Sequence, residues 1–121
     1  MPKPISRPRC VHRINAQGRI SFVNDDWLAF AAANGYETSR SLELGRALSE
    51  VISDEETRHI YAQLIERACI SGRAIRFGYR CDSPERRRWM QMRMRRLAQS
   101  DEIEFASELI REEPLIRRAR R

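Results

Sequence analysis

Trp89-Met90-Gln91-Met92-Arg93-Met94-Arg95 alternates without a break, with Met90, Met92 and Met94 on one side and Trp89, Gln91, Arg93 and Arg95 on the other. Side chains two apart share a face only in extended backbone, so this stretch predicts a strand with one face in a core and one face outside it. The same period continues on both sides. Upstream, Ile75, Phe77 and Tyr79 alternate with Arg76, Gly78 and Arg80, and Asp82-Ser83-Pro84-Glu85 supplies a turn. Downstream, Ile103, Phe105, Ser107 and Leu109 alternate with Glu104, Ala106 and Glu108. Three consecutive antiparallel strands follow, with Glu104 and Glu108 expected to face Arg93 and Arg95 across neighbouring strands.

Before Gly72 the period is helical. Ile60, Tyr61, Leu64, Ile65 and Ala68 make one apolar stripe that ends at Ser71-Gly72, and Ser53 with Glu56 has the spacing of a capping box at its start. Ser41 to Ile52 predicts two short helical turns around Gly45. Further upstream, Asn24 is placed to cap a helix through Trp27, Leu28 and Phe30, with Asp25 and Asp26 at its positive end and Asn34-Gly35 as its stop. Val11 to Ile14 and Arg19 to Val23, joined by Asn15-Ala16-Gln17-Gly18, form a hairpin whose Gly18 accepts positive φ. The order is two strands, three or four short helices and three strands. That is an α+β layout, one antiparallel sheet with its helices on one face.

The chain has 121 residues, 41% of them hydrophobic, enough for one domain with one core. Residues 1–9, rich in proline and basic residues, are expected to be a flexible arm, residues 10–112 the domain and residues 113–121 a basic tail. No window approaches the roughly 20 consecutive apolar residues of a membrane span, and the first residues lack the apolar core of a secretion signal. A soluble, cytoplasmic protein is therefore expected. Cys10, Cys69 and Cys81 are widely spaced with only two histidines beside them, so they are expected to be reduced, mostly packed thiols that bind no metal.

The formal charge is +6, and Lys3 is the only lysine. Arginine forks bind phosphate, which opens a competing reading as a small Arg-rich nucleic-acid-binding protein. Yet 17 acidic residues are interleaved among the basic ones, and no base-stacking motif or zinc-finger spacing accompanies them. Phosphate loops and the common hydrolase motifs are also missing from the sequence, so an enzyme is not expected.

Three short stretches carry a family resemblance. Arg19-Ile20-Ser21-Phe22-Val23-Asn24 resembles the second strand of the PAS fold, whose closing asparagine opens the first helix. Leu44-Gly45-Arg46-Ala47-Leu48 resembles the segment before that family's later helices, and Arg80 to Pro84 with Arg87-Arg88 is similar to a hairpin of small bacterial PAS proteins. The resemblance spans residues 10–112. It implies a five-stranded antiparallel sheet in the order 2-1-5-4-3, with short helices walling a cavity against its inner face. It also implies a sensory, signal-transduction domain that binds a small ligand or a signalling partner and acts through conformational change and homodimer contact.

Trp27, Phe30, Tyr61, Leu64, Phe77, Tyr79, Met92 and Phe105 are the candidate cavity lining, with a filled core as the plainer reading of the same residues. On the outer sheet face Trp89, Gln91, Arg93 and Glu104 are the candidate interface, although Trp89 has an alternative in packing under the N-terminal arm or the C-terminal tail. In haem-binding members of the family a histidine of the long helix holds the iron, and here that place falls to His59. The helical wheel turns His59 away from the apolar stripe, so it is expected to face solvent and haem is not expected. Flavin is not expected either, because the cysteine motif of the blue-light subgroup is absent.

Overall fold

In the computed structural model, residues 9–52 and 54–115 are described. The elements run β1 (Arg9–Ile14), β2 (Ile20–Val23), α1 (Asp25–Ala33), α2 (Arg40–Glu43), α3 (Leu48–Val51), α4 (Glu55–Ser71), β3 (Ile75–Arg80), β4 (Arg86–Arg96) and β5 (Ile103–Pro114). They form one five-stranded sheet in the order β2-β1-β5-β4-β3, with every pairing antiparallel.

Pairing of the chain's first strand with its last makes β5 the centre of the sheet. Inner-face rows then cross several strands: Cys10 meets Ser107, Met92 and Phe77, while His12 meets Phe105, Met94 and Ile75. Phe105, Met94 and Val23 are fully buried, and Trp27, Leu28, Tyr61 and Leu64 pack onto this cluster from the helices. Burial of each such side chain contributes about 1.5 to 3 kcal/mol, so these rows are the main anchor of the helical layer.

Local chemistry explains the connections. Asn15 Oδ1 accepts from the amides of Gln17 and Arg19, and Gly18 takes φ 74°, closing the first hairpin. Asn24 Oδ1 accepts from the Trp27 amide at 2.8 Å as the cap of α1, and also from the Val11 amide, while its Nδ2 donates to the Arg9 carbonyl. One side chain thus fixes both α1 and β1. Gly45, at φ 90°, lets the α2–α3 connection run beside β2, where the Gly45 amide donates to Ile20 and the Ile20 amide donates to Arg46. The open edge of β2 is covered in this way.

Several expectations are corrected. The cap of α4 is Asp54, which accepts from the Thr57 amide and hydroxyl; the expected cap Ser53 lies outside the described residues. Ile60 is 47% exposed, because α4 lies over the sheet through the narrower arc of Tyr61, Leu64, Ile65 and Ala68. Glu104 does pair with Arg95, but Glu108 lies across from Gln91 and pairs with Arg9, while Arg93 faces Ala106 and Arg76. Cys69 is exposed, whereas Cys10 is buried and Cys81 half-buried; all three are free thiols. The expected arm and the end of the tail lie mostly outside the described residues, and β5 continues to Pro114.

Candidate functional site

Phe105 divides the inner face into two clefts. It stacks on His12 at 4.5 Å on one side and on Tyr61 at 6.1 Å on the other, filling the middle of the sheet. The first cleft, ≈ 470 Å³, lies between α1, α3 and the inner face, and Cys10, His12, Trp27, Phe30, Tyr36, Tyr79, Met90, Met92 and Ser107 border it. The second, ≈ 820 Å³, lies beside α3 and α4, bordered by Ile14, Leu48, Ile52, Tyr61, Ile65, Cys69 and Ile103, with Arg58, Arg96 and Asp101 adding charge.

Of the sequence-proposed lining, Trp27, Phe30, Tyr79 and Met92 border the first cleft and Tyr61 the second. Phe105 belongs to the buried core, and Leu64 and Phe77 pack against it. The proposed lining residues are thus divided between the two clefts and the core. His59 is exposed and borders neither cleft.

The titratable groups on the inner sheet face of the first cleft are shifted toward their neutral forms. Burial pushes the His12 imidazole down to about 4 and, with the Asp26 and Cys81 charges, the Cys10 thiol up to about 11. Burial also raises the Tyr79 phenol to about 12, against the opposing effect of its 2.6 Å hydrogen bond with Ser107. At the cleft's edge, Glu43 is buried but accepts from Tyr36 Oη at 3.1 Å, Thr38 Oγ1 at 3.0 Å and Arg46 at 3.0 Å. That cluster satisfies the carboxylate and pins the α2–α3 corner to the sheet side.

His12 and the Glu43 cluster were not singled out from the sequence. The signal for His12 was available, since Cys10, His12 and Ile14 alternate with Val11 and Arg13. No comparable sequence pattern marks the three-residue set around Glu43.

On the outer face, Glu104 accepts from Arg13 Nε at 2.9 Å and Arg95 Nε at 3.1 Å. Trp89 is held between the guanidiniums of Arg80 and Arg111, 4.7 and 4.8 Å from its ring centre. Beside it a notch floored by Gly78 is bordered by Trp89, Gln91 and Ile110. Arg93 follows Gln91 on the same face, its Nε buried without a hydrogen-bond partner among the described residues. The four candidate interface residues thus share one face, though Glu104 is engaged within its own chain.

A five-stranded antiparallel sheet in this order, with its helices gathered on one face, forms a single α+β module. The chain belongs to the PAS fold family, whose model matches residues 6–112. A domain of an HTR-like protein from Haloarcula marismortui is similar in fold, with a TM-score of 0.62 at 20% identity over 86% of this chain and 99% of that one. The PAS domain of an HTR-like protein from Haloarcula marismortui superposes with a TM-score of 0.49 at 21% identity, over 85% of this chain and 82% of that one. No curated protein matches the chain. Among the described residues no helix is long and apolar enough to cross a membrane, and no group of three His, Cys, Asp or Glu is placed to hold a metal ion.

Proposed function

We propose that this PAS domain is a non-catalytic sensor in which a small ligand in the first cleft alters the outer face of the sheet, where a second copy or a signalling partner docks. The observation that carries it is the alternation of the central strands. Met92 and Ser107 border the cleft, while their chain neighbours Gln91, Arg93, Ala106 and Glu108 belong to the outer face. An occupant that displaces Met92 or Ser107 displaces the outer residues through the same backbone, because packed sheets transmit such shifts. Free thiols at all three cysteines fit a reducing cytoplasm as its location.

Trp89, Gln91 and Arg93 are the proposed centre of the contact, since a large aromatic flanked by arginines has the make-up of an interface core. Charge argues against the nucleic-acid reading. The arginines of the sheet are largely committed to carboxylates, as in Arg13–Glu104–Arg95, Arg88–Glu112 and Arg9–Glu108. Native mass spectrometry of the purified protein tests the reading by reporting retained ligand and subunit count together. A protein that retains and binds no small molecule, and stays monomeric at micromolar concentration in both wild type and Trp89→Ala, overturns it.

A further inference from the structure

A sheet edge presents backbone N–H and C=O groups that can pair with another chain. The α2–α3 connection covers the edge at β2, and the other edge belongs to β3. The β3–β4 hairpin fixes which groups face outward there. Ser83 bonds to Arg86 and the Cys81 amide donates to the Arg88 carbonyl. In the register that continues through Tyr79–Met90 and Phe77–Met92, the odd-numbered residues of β3 therefore bond to β4. The amides and carbonyls of Arg76, Gly78 and Arg80 point out of the edge, and all three residues are exposed. Among the described residues no hydrogen bond reaches that edge.

The side chains beside it add charge. Arg76 stands directly opposite Arg93, a like-charged pair that weakens a sheet when nothing compensates it. Beyond Arg93 the row continues to Ala106 and Val11, so it holds no carboxylate. Glu104 is held by Arg13 and Arg95 and Glu108 by Arg9, while neither Arg76 nor Arg93 has an ion pair among the described residues. At the far end of β3, Arg80 is already forked onto Asp82. We infer that the free edge of β3 takes up an extended, acidic segment of a partner protein as a sixth strand, with a carboxylate set between Arg76 and Arg93. This site rests on the docking role proposed above, shares Arg93 with it and lies at the rim of that face. Backbone pairing supplies the affinity and the two arginines the selection. Half-buried Ile75, Phe77 and Tyr79 give the inner side of the added strand an apolar neighbour at every second residue. The chain's own ends carry the wrong charge, with Lys3 and Arg7 at one and Arg117, Arg118, Arg120 and Arg121 at the other. A second copy is opposed as well, because antiparallel pairing about Gly78 sets Arg76 of one copy against Arg80 of the other.

The probe is the capped heptapeptide Val-Glu-Val-Thr-Val-Glu-Val, whose acidic positions are symmetric and so fit either strand direction. Versions with Gln or Lys in place of both Glu residues are the comparison. Binding to the full chain is followed by residue-resolved amide hydrogen exchange. The acidic peptide is expected to slow exchange at Arg76, Gly78 and Arg80 about tenfold or more, and to leave the already paired amides of Phe77 and Tyr79 nearly unchanged. The Gln version is expected to bind about tenfold more weakly, and the Lys version more weakly still. Arg76→Gln, an exposed change that leaves the core untouched, should erase most of the preference for Glu over Gln. Gly78→Pro, which removes an outward amide, should weaken all three peptides. Equal binding of the Glu and Gln peptides, a preference that survives Arg76→Gln, or binding without protection of the three edge amides overturns the inference. Absence of binding at millimolar peptide overturns it too, as does displacement of the peptide by equimolar inorganic phosphate, which would mark a plain anion site. Dimerisation through Trp89 is read separately by sedimentation, so loss of peptide binding alone leaves the docking role of the outer face standing.

Discussion

Replacing Glu104 with glutamine removes one charge from the centre of the outer sheet face and keeps the side chain's shape. Glu104 is 6% exposed and accepts charge-assisted hydrogen bonds from Arg13 and Arg95, whose side chains are 34% and 42% exposed. Such bonds stabilise by about 1.5 to 3 kcal/mol each, and the wet guanidiniums place these two at the low end of that range. Glutamine can still accept through its single oxygen, so about 2 kcal/mol is the expected loss at pH 7. For a chain of this size that lowers Tm by about 6 to 12 °C. The pH dependence supplies a second, independent signature. Burial acts to raise the Glu104 carboxyl, yet the hydrogen bonds from Arg13 and Arg95 outweigh it and hold the group below the usual carboxylate range. A depressed folded-state pKa stabilises fully above the unfolded value of about 4.3, and that contribution is lost as pH falls through the folded value. Urea unfolding of wild type and Glu104→Gln from pH 7 downward should therefore show a gap that is full at neutrality and closes in acid. A gap under about 0.5 kcal/mol at pH 7, or one that stays constant into acid, refutes the reasoning.

Asn24→Ala is expected to destabilise by about 2 kcal/mol, the upper end for a helix cap, because the same side chain also bonds Val11 and Arg9; chemical denaturation checks it. Sedimentation of wild type and Trp89→Ala at micromolar concentration should show the variant shifted toward monomer, and a dimer indifferent to the change removes Trp89 from the contact. Protein purified with iron and flavin available should be colourless, and a Soret band lost on His59→Ala would overturn that. Duplex DNA or RNA should bind at about 10⁻⁵ M or more weakly near physiological salt, measured by fluorescence anisotropy, whereas sub-micromolar, sequence-selective binding contradicts the ion-pairing argument.

How far the residues themselves announced this structure depends on whether a feature is periodic. Sheet faces were legible because alternation is a local, two-residue property: Met90, Met92 and Met94 lie inward as their spacing demands. Asn24 and Gly18 were legible because caps and tight turns demand particular side chains. Register was only half legible. Alternation tolerates a slide of two residues, and charge matching alone placed Glu108 opposite the wrong arginine. Ile60 failed for a related reason, since a helical wheel gives the direction of a stripe but not the width of what covers it. In the candidate site, the aromatic walls could be named from their faces, while the separation into two clefts could not. That separation depends on Phe105 stacking between His12 and Tyr61, residues 93 and 44 positions away along the chain.

The pairing of the first strand with the last also governs when the fold can assemble. β1 has two neighbours in the sheet, and the one that buries Cys10, His12 and Ile14 in cross-strand rows is β5, near the other end of the chain. During synthesis the first hairpin must wait for almost the whole chain, since nothing earlier presents an edge in the right register. Loop-closure entropy opposes that late meeting, while the β3–β4–β5 ribbon can zip up locally at far lower cost. The expected order is ribbon first and N-terminal hairpin last, with β1 docking as the step that completes the first cleft. A nascent chain lacking Phe105 would have no ring for His12 to lie on, so the first cleft should take shape only once the central strand has left the ribosome.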